Sequence, residues 1–168
     1  PIEESLKAFD ELVREGKVRY IGTSNDTAYG LTKANETSKN KNLARFESIQ
    51  NNFSLLNPRF LDELSTVCKK ENISLLPYSP IGGGVLSGKY NNAFYPEDAR
   101  FSAYMKHENP RVQAQATRFV NDKTIAATIK YLELAREYGI SPVTLAVAYS
   151  KHFDFVSSTI IGARTSEQ

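Results

Sequence analysis

The sequence predicts an α/β fold built from parallel βα units, either a doubly wound sheet or a barrel. Three observations carry this reading. Apolar, strand-like runs begin at residues 18, 46 and 73, with helix-patterned segments between them. A fourth run, 158–163, follows two further helical segments. Each run also stops at polar, aromatic or small residues: Ser24-Asn25, Gln50, Tyr78-Ser79 and Gly162-Ala163-Arg164. In both architectures ligands gather at the carboxyl ends of the strands, so four such ends on one rim point to a binding site.

Residues 1–15 read as a helix because Ile2, Leu6, Phe9, Leu12 and Val13 recur on one face. Glu3 and Glu4 complement its positive end, and Gly16 is placed to stop it. Residues 18–25 form the first strand, and 31–39 a polar helix expected at the surface. The second strand is 46–53. Asn57 is placed to cap a helix with Pro58 in its first turn and a buried stripe through Phe60, Leu61, Leu64, Val67 and Cys68. Lys69 and Lys70 sit at its negative end, and the third strand, 73–78, follows. Residues 91–122 show no regular period and are expected to form a long functional loop within a single domain, 1–168. Two helices, 123–138 and 141–152, are separated by Gly139 and restarted by Ser141-Pro142. The fourth strand then leads into residues 164–168, which read as the start of another helix.

Bulk properties exclude several function classes. A chain of 168 residues, 40% hydrophobic and 24% charged, has the composition of a soluble globular domain and can bury a sizeable core. The net charge of +2, without long runs of one sign, argues against nucleic acid as a partner; Lys39, Lys41 and Arg45 read as a solvated loop. One cysteine, Cys68, allows no internal disulfide and suits a reducing compartment, so the expected location is the cytoplasm. No apolar run is long enough to span a membrane. Neither His107 nor His152 has a carboxylate or thiol at metal-ligand spacing.

The most informative stretch runs from Ser74 to Tyr90. An apolar run ends in Pro77-Tyr78-Ser79-Pro80, and Gly82-Gly83-Gly84 and Ser87-Gly88-Lys89 follow. Glycine lets a backbone approach a phosphate closely, lysine adds charge, and the tyrosine offers a flat face to a planar ring. Gly83 to Lys89 nearly matches the phosphate loop of nucleotide triphosphatases, but Tyr90 stands where a short hydroxyl must hold magnesium, and no helix start follows. A strand and glycine turn without a ligand is the other reading of these residues.

In order and spacing, these strand ends resemble the C-terminal half of an aldo-keto reductase. The resemblance is carried by Pro1-Ile2-Glu3-Glu4-Ser5-Leu6, by Gly16 to Gly22 ahead of Ser24-Asn25, by Gln50-Asn51, by Pro77 to Pro80, by Leu86 to Tyr90, and by Ile161-Gly162-Ala163. It covers nearly the whole chain and is closest to the branch of Tas-like reductases and potassium-channel β subunits. It implies strands five to eight of a (β/α)8 TIM barrel, an incomplete barrel on its own, with NADP(H) across the rim. By resemblance, Ser24, Asn25 and Gln50 hold the nicotinamide carboxamide and Tyr78 stacks on its ring. Ser79, Pro80, Leu86, Gly88 and Lys89 line the pyrophosphate, and Tyr90 and Arg100 close over the cofactor. Gly162, Arg164 and Gln168 meet the adenosine end, Arg164 suiting a 2′-phosphate.

The catalytic tyrosine, lysine, aspartate and histidine of that family belong to the first half of its barrel, so the resemblance gives this chain a cofactor site and no catalytic residue. An open half-barrel leaves two unpaired edges and half an interior in water. The expectation is therefore a fragment of a longer protein, or a barrel completed by another chain or a second copy. The function implied is NADPH-dependent reduction of a small aldehyde or ketone by the intact protein, with no metal needed. The alternatives are an NADP(H)-binding regulatory subunit with little turnover and a cofactor-free structural half-barrel.

Overall fold

The short apolar runs of this chain pair side by side because each is followed by a helix that returns the chain to the same end of a sheet. The computed structural model describes residues 1–93, 95–163, 165 and 166. Strands β1 (Ile21–Ser24), β2 (Phe46–Asn52) and β3 (Ser74–Tyr78) form one parallel sheet in the order β1-β2-β3. Ser24 lies opposite Gln50, Gln50 opposite Leu76, and Asn52 opposite Tyr78. Paired residues point to the same side of a sheet, so these side chains share one face. That face is half-buried or exposed, whereas Ile49, Leu75 and Pro77 on the opposite face are buried.

The buried face is covered by helices α1 (Ile2–Arg14), α2 (Ala28–Lys41) and α3 (Leu64–Glu71). Leu6, Leu31, Ala34, Ile49, Cys68 and Leu75 meet in one core. The end of α1 is as expected: Gly16 takes φ +72°, and Lys17 N donates to Leu12 O at 3.0 Å. Helix α2 is longer than expected and is no surface helix, since it buries Leu31, Ala34, Asn35 and Ser38. Its inward polar groups are all used. Asn35 Oδ1 accepts from Phe46 N at 3.0 Å and Asn35 Nδ2 donates to Phe46 O at 3.1 Å. Ser38 Oγ donates to Ala44 O, and Asp10 of α1 accepts from Ala44 N.

Three further expectations are corrected. The helix after Pro58 is a 3-10 turn (Arg59–Leu61) followed by α3, and Asn57 does not cap it. Instead a backbone bridge between Ser54 and Asn57 closes a tight turn, and Asn57 Nδ2 donates to Asn52 O. Residues 158–163 form no regular strand. Leu75 N donates to Phe155 O, Ser157 N to Leu75 O and Ile160 N to Pro77 O, with one parallel bridge at Val156. The backbone tracks the edge of β3, but these contacts advance by two residues and then three, which breaks the alternation a ladder needs. Residues 91–122 are not a long loop: they hold α4 (Arg100–Met105) and α5 (Pro110–Phe119), the latter capped by Asn109, whose side chain accepts from Arg111 N at 2.9 Å. The glycine-rich stretch Gly82–Ser87 is 3-10 structure interrupted by a kink at Gly83 (φ +64°) and Gly84 (φ +98°).

Helices α6 (Asp122–Glu137) and α7 (Pro142–Lys151) start where expected, α6 with a capping box between Asn121 and Thr124 and α7 with Ser141 as its cap. Val85, Tyr90, Ala99, Phe101, Ala116 and Val120 form a second core beneath the glycine turn. Among the described residues, no helix is long and apolar enough to cross a membrane.

Cys68 is 1% exposed, and burial pushes its thiol up to about 11. Above the ordinary value of 9.0 the unfolded chain loses this proton while the fold retains it. Stability therefore falls as pH rises between those two values. The urea midpoint is expected to drop across that window less steeply in Cys68→Ala than in the parent chain; equal slopes would assign the fall to other groups.

Candidate functional site

The carboxyl ends of the three strands bring together residues far apart in sequence. Tyr78 Oη donates to Asn25 Oδ1 at 2.8 Å, Asn25 Nδ2 donates to Ser24 Oγ at 3.1 Å, and Ser24 Oγ donates to Gln50 O at 3.1 Å. Asn25 N also donates to Gln50 O, at 3.0 Å. One chain of hydrogen bonds thus crosses β3, β1 and β2. Asn25 takes φ +53° and Ser79 φ +54°. Asparagine tolerates the left-handed region, whereas serine there costs on the order of 1 kcal/mol, and such strain clusters at functional sites.

The free capacity of this chain of bonds is defined. Asn25 retains a second amide N–H, and the Gln50 side chain makes no hydrogen bond among the described residues. A donor and an acceptor on neighbouring strand ends match a primary carboxamide, which presents a carbonyl and an NH2 group. The Tyr78 ring beside them is half-buried. The residues present therefore fit the nicotinamide end of a dinucleotide.

Asn25 and Tyr78 also line a cleft of about 360 Å³ together with Asn51, Asn52, Arg59 and Arg118, whose remaining wall includes Phe60 and Leu64. The amide oxygens of Asn51 and Asn52 are buried there without a hydrogen-bond partner among the described residues. These cleft residues were not predicted as site residues. Asn51 and Asn52 could have been found as two further amides after Gln50, but Arg118 arrives from α5, inside the segment read as a loop.

Tyr90 belongs to the second core, and Leu86, Gly88 and Lys89 precede it in the chain. Pro80 is buried, and Leu86 and Tyr90 are each 1% exposed. Tyr90 Oη accepts from Phe101 N at 3.3 Å, and burial raises its hydroxyl pKa above the usual phenol value. Gly88 has φ +83°, a left-handed conformation that glycine adopts without strain. The turn amides are largely taken, with Gly82 N donating to Ser79 O and both Gly84 N and Leu86 N to Ile81 O. Lys89 is exposed, its ammonium 5.4 Å from the Tyr90 ring centre, and the Arg100 guanidinium lies over Phe101 and Tyr104. Gly162 is exposed with open space around it, while Arg164 and Gln168 lie outside the described residues.

The model of the "Aldo/keto reductase family" matches residues 1–168. "Protein tas" of Escherichia coli (strain K12) is 37% identical over 165 residues, covering 98% of this chain and 45% of that protein. "Aldo-keto reductase" of Babesia bovis is 30% identical, covering 97% of this chain and 56% of that protein. "Putative voltage-gated potassium channel subunit beta" of Schizosaccharomyces pombe is 28% identical, covering 100% of this chain and 48% of that protein. The chain spans about half the length of these curated relatives. Three parallel strands with helices on one face are consistent with part of the (β/α)8 barrel that the match implies, and the chain belongs to the aldo/keto reductase family.

Proposed function

We propose that this chain supplies the NADP(H)-holding rim of a reductase that converts a small aldehyde or ketone to the alcohol. The observation that carries the reading is the Tyr78–Asn25 hydrogen bond, which ties the ends of β3 and β1 into one rim beside an unengaged Gln50 amide. Ser24, Asn25 and Gln50 would orient the carboxamide, and Tyr78 would cover one face of the ring. Ser79, Pro80, Gly88 and Lys89 would meet the phosphates, with Lys89 as the positive charge. Arg100 would close over the cofactor, and Gly162, Arg164 and Gln168 would take the adenosine end, Arg164 selecting the 2′-phosphate form. The bound cofactor supplies a hydride; the residues of this chain bind and orient it, and the proton donor is expected from the first half of the barrel.

That first half would come from a preceding segment or another chain. Two features support this. The sheet face carrying Gln50, Asn52 and Tyr78 is not covered by the helices that bury Ile49 and Leu75, and β1 has β2 as its one strand neighbour among the described residues. The unpaired, buried Cys68 agrees with a reducing, cytoplasmic location.

A second reading is an NADP(H)-binding regulatory subunit, favoured by the similarity to the putative potassium-channel subunit along the whole chain. Steady-state turnover of 4-nitrobenzaldehyde with NADPH, by the protein with its barrel completed, separates the two. Turnover is expected; tight NADPH binding without it would favour the regulatory reading.

A further inference from the structure

We propose that the cleft beside Asn25 and Tyr78 binds a small hydroxy or oxo acid, its carboxylate held between Arg59 and Arg118. The cleft carries two guanidinium groups and one carboxylate, Asp26. Both Asp26 oxygens are already engaged: Oδ1 accepts from Thr27 N at 2.8 Å and Oδ2 from the Thr23 hydroxyl at 3.2 Å. Neither arginine forms an ion pair among the described residues. Arg59 donates Nε to Asn57 Oδ1 at 3.1 Å, which leaves its terminal nitrogens unengaged among the described residues. The two arginines come from separate elements, the 3-10 turn and α5, and line one space. A planar fork of donors on each is matched by a carboxylate better than by a neutral group.

A second, independent observation concerns the cleft floor. The oxygens of Asn51 and Asn52 are buried acceptors without donors, a condition costing about 1–3 kcal/mol for each group. Both oxygens lack exposed surface, so a ligand hydroxyl supplies a donor there once an amide turns toward it. Phe60, Leu64 and the Tyr78 ring add an apolar wall for a short alkyl or aryl body. At about 360 Å³ the cleft lies at the small end of ligand sites, which span about 300–1,000 Å³. A hydroxy acid meets all three requirements, and it is the reduced partner of an oxo acid. The hydroxy/oxo class rests on the carbonyl-reduction reading above; the preference for negative charge rests on the cleft alone.

The test is a calorimetric titration of the protein with its barrel completed, using mandelate, mandelamide as the neutral isostere and phenylacetate as the analogue lacking the hydroxyl. Mandelate is expected to bind at least tenfold more tightly than mandelamide and measurably more tightly than phenylacetate. The doubly substituted Arg59→Gln, Arg118→Gln chain is expected to lose the preference over mandelamide. Both side chains are exposed, so the variant should fold, and circular dichroism checks that it does. No mandelate binding, equal binding of mandelate and mandelamide, or an unchanged preference in the double variant would overturn the proposal. A parallel NADPH titration separates the two readings. NADPH binding without mandelate binding defeats this inference alone. Charge-selective mandelate binding without NADPH binding upholds the cleft's charge preference and defeats the reductase reading with its hydroxy/oxo class.

Discussion

Phe53→Ala should destabilise the fold by about 3–5 kcal/mol, the range for removing a fully buried aromatic ring. Phe53 follows β2 directly and is 0% exposed. Its ring stands 5.2 Å from Phe153, 5.4 Å from Tyr149, 6.0 Å from Phe60 and 6.3 Å from Phe155, centre to centre. These partners come from α7 and the segment after it and from the 3-10 turn before α3, so one side chain ties both of these regions to the sheet. Truncation leaves a cavity that rings on three sides cannot collapse to fill. Urea unfolding with a two-state fit measures the loss. A change below about 1 kcal/mol would mean that the cluster repacks freely and that Phe53 is not its centre.

Asn35→Ala should cost about 2–4 kcal/mol, although it removes a polar residue from a helix and adds the best helix former. The reason is geometric. Both hydrogen bonds of the Asn35 amide go to the backbone of Phe46, the first residue of β2, and the site is 7% exposed. Alanine leaves a buried N–H and a buried C=O without partners, each carrying about 1–3 kcal/mol of desolvation. Asn35→Asp keeps the acceptor but sets a second carboxylate oxygen against Phe46 O in a buried site, and should cost at least as much. If Asn35→Ala is as stable as the parent chain, water has replaced the amide and the clamp is not structural.

Asn35 also shows where the sequence is hard to read. A polar side chain on an apolar-poor helix reads as surface, and only the tertiary pairing with Phe46 turns α2 inward. The three central strands were legible because apolar runs ended at turn residues, and α1, α6 and α7 because their punctuation was explicit. Helices α4 and α5 were not, since Phe101, Ala116 and Val120 bury against Tyr90 without helical repeats long enough to stand out. Asn109-Pro110 was a cap-and-first-turn signal that could have found α5.

The site divides the same way. Ser24, Asn25, Gln50 and Tyr78 could be placed from parallel topology alone, because strand ends of successive βα units converge on one rim. Leu86 and Tyr90 could not, because an apolar residue near a glycine turn reads the same whether it faces a ligand or a core. Both are 1% exposed. Arg59 and Arg118 needed the coordinates, since nothing in their local sequence links one to the other.

The most direct measurement is the NADPH emission titrated with this chain and with two variants, Asn25→Ala and Tyr78→Ala. The account predicts a saturable blue shift or intensity change with the parent chain, and at least tenfold weaker binding, about 1.4 kcal/mol, for each variant. NADPH emission unchanged at saturating protein, or variants that bind as tightly as the parent chain, would contradict it.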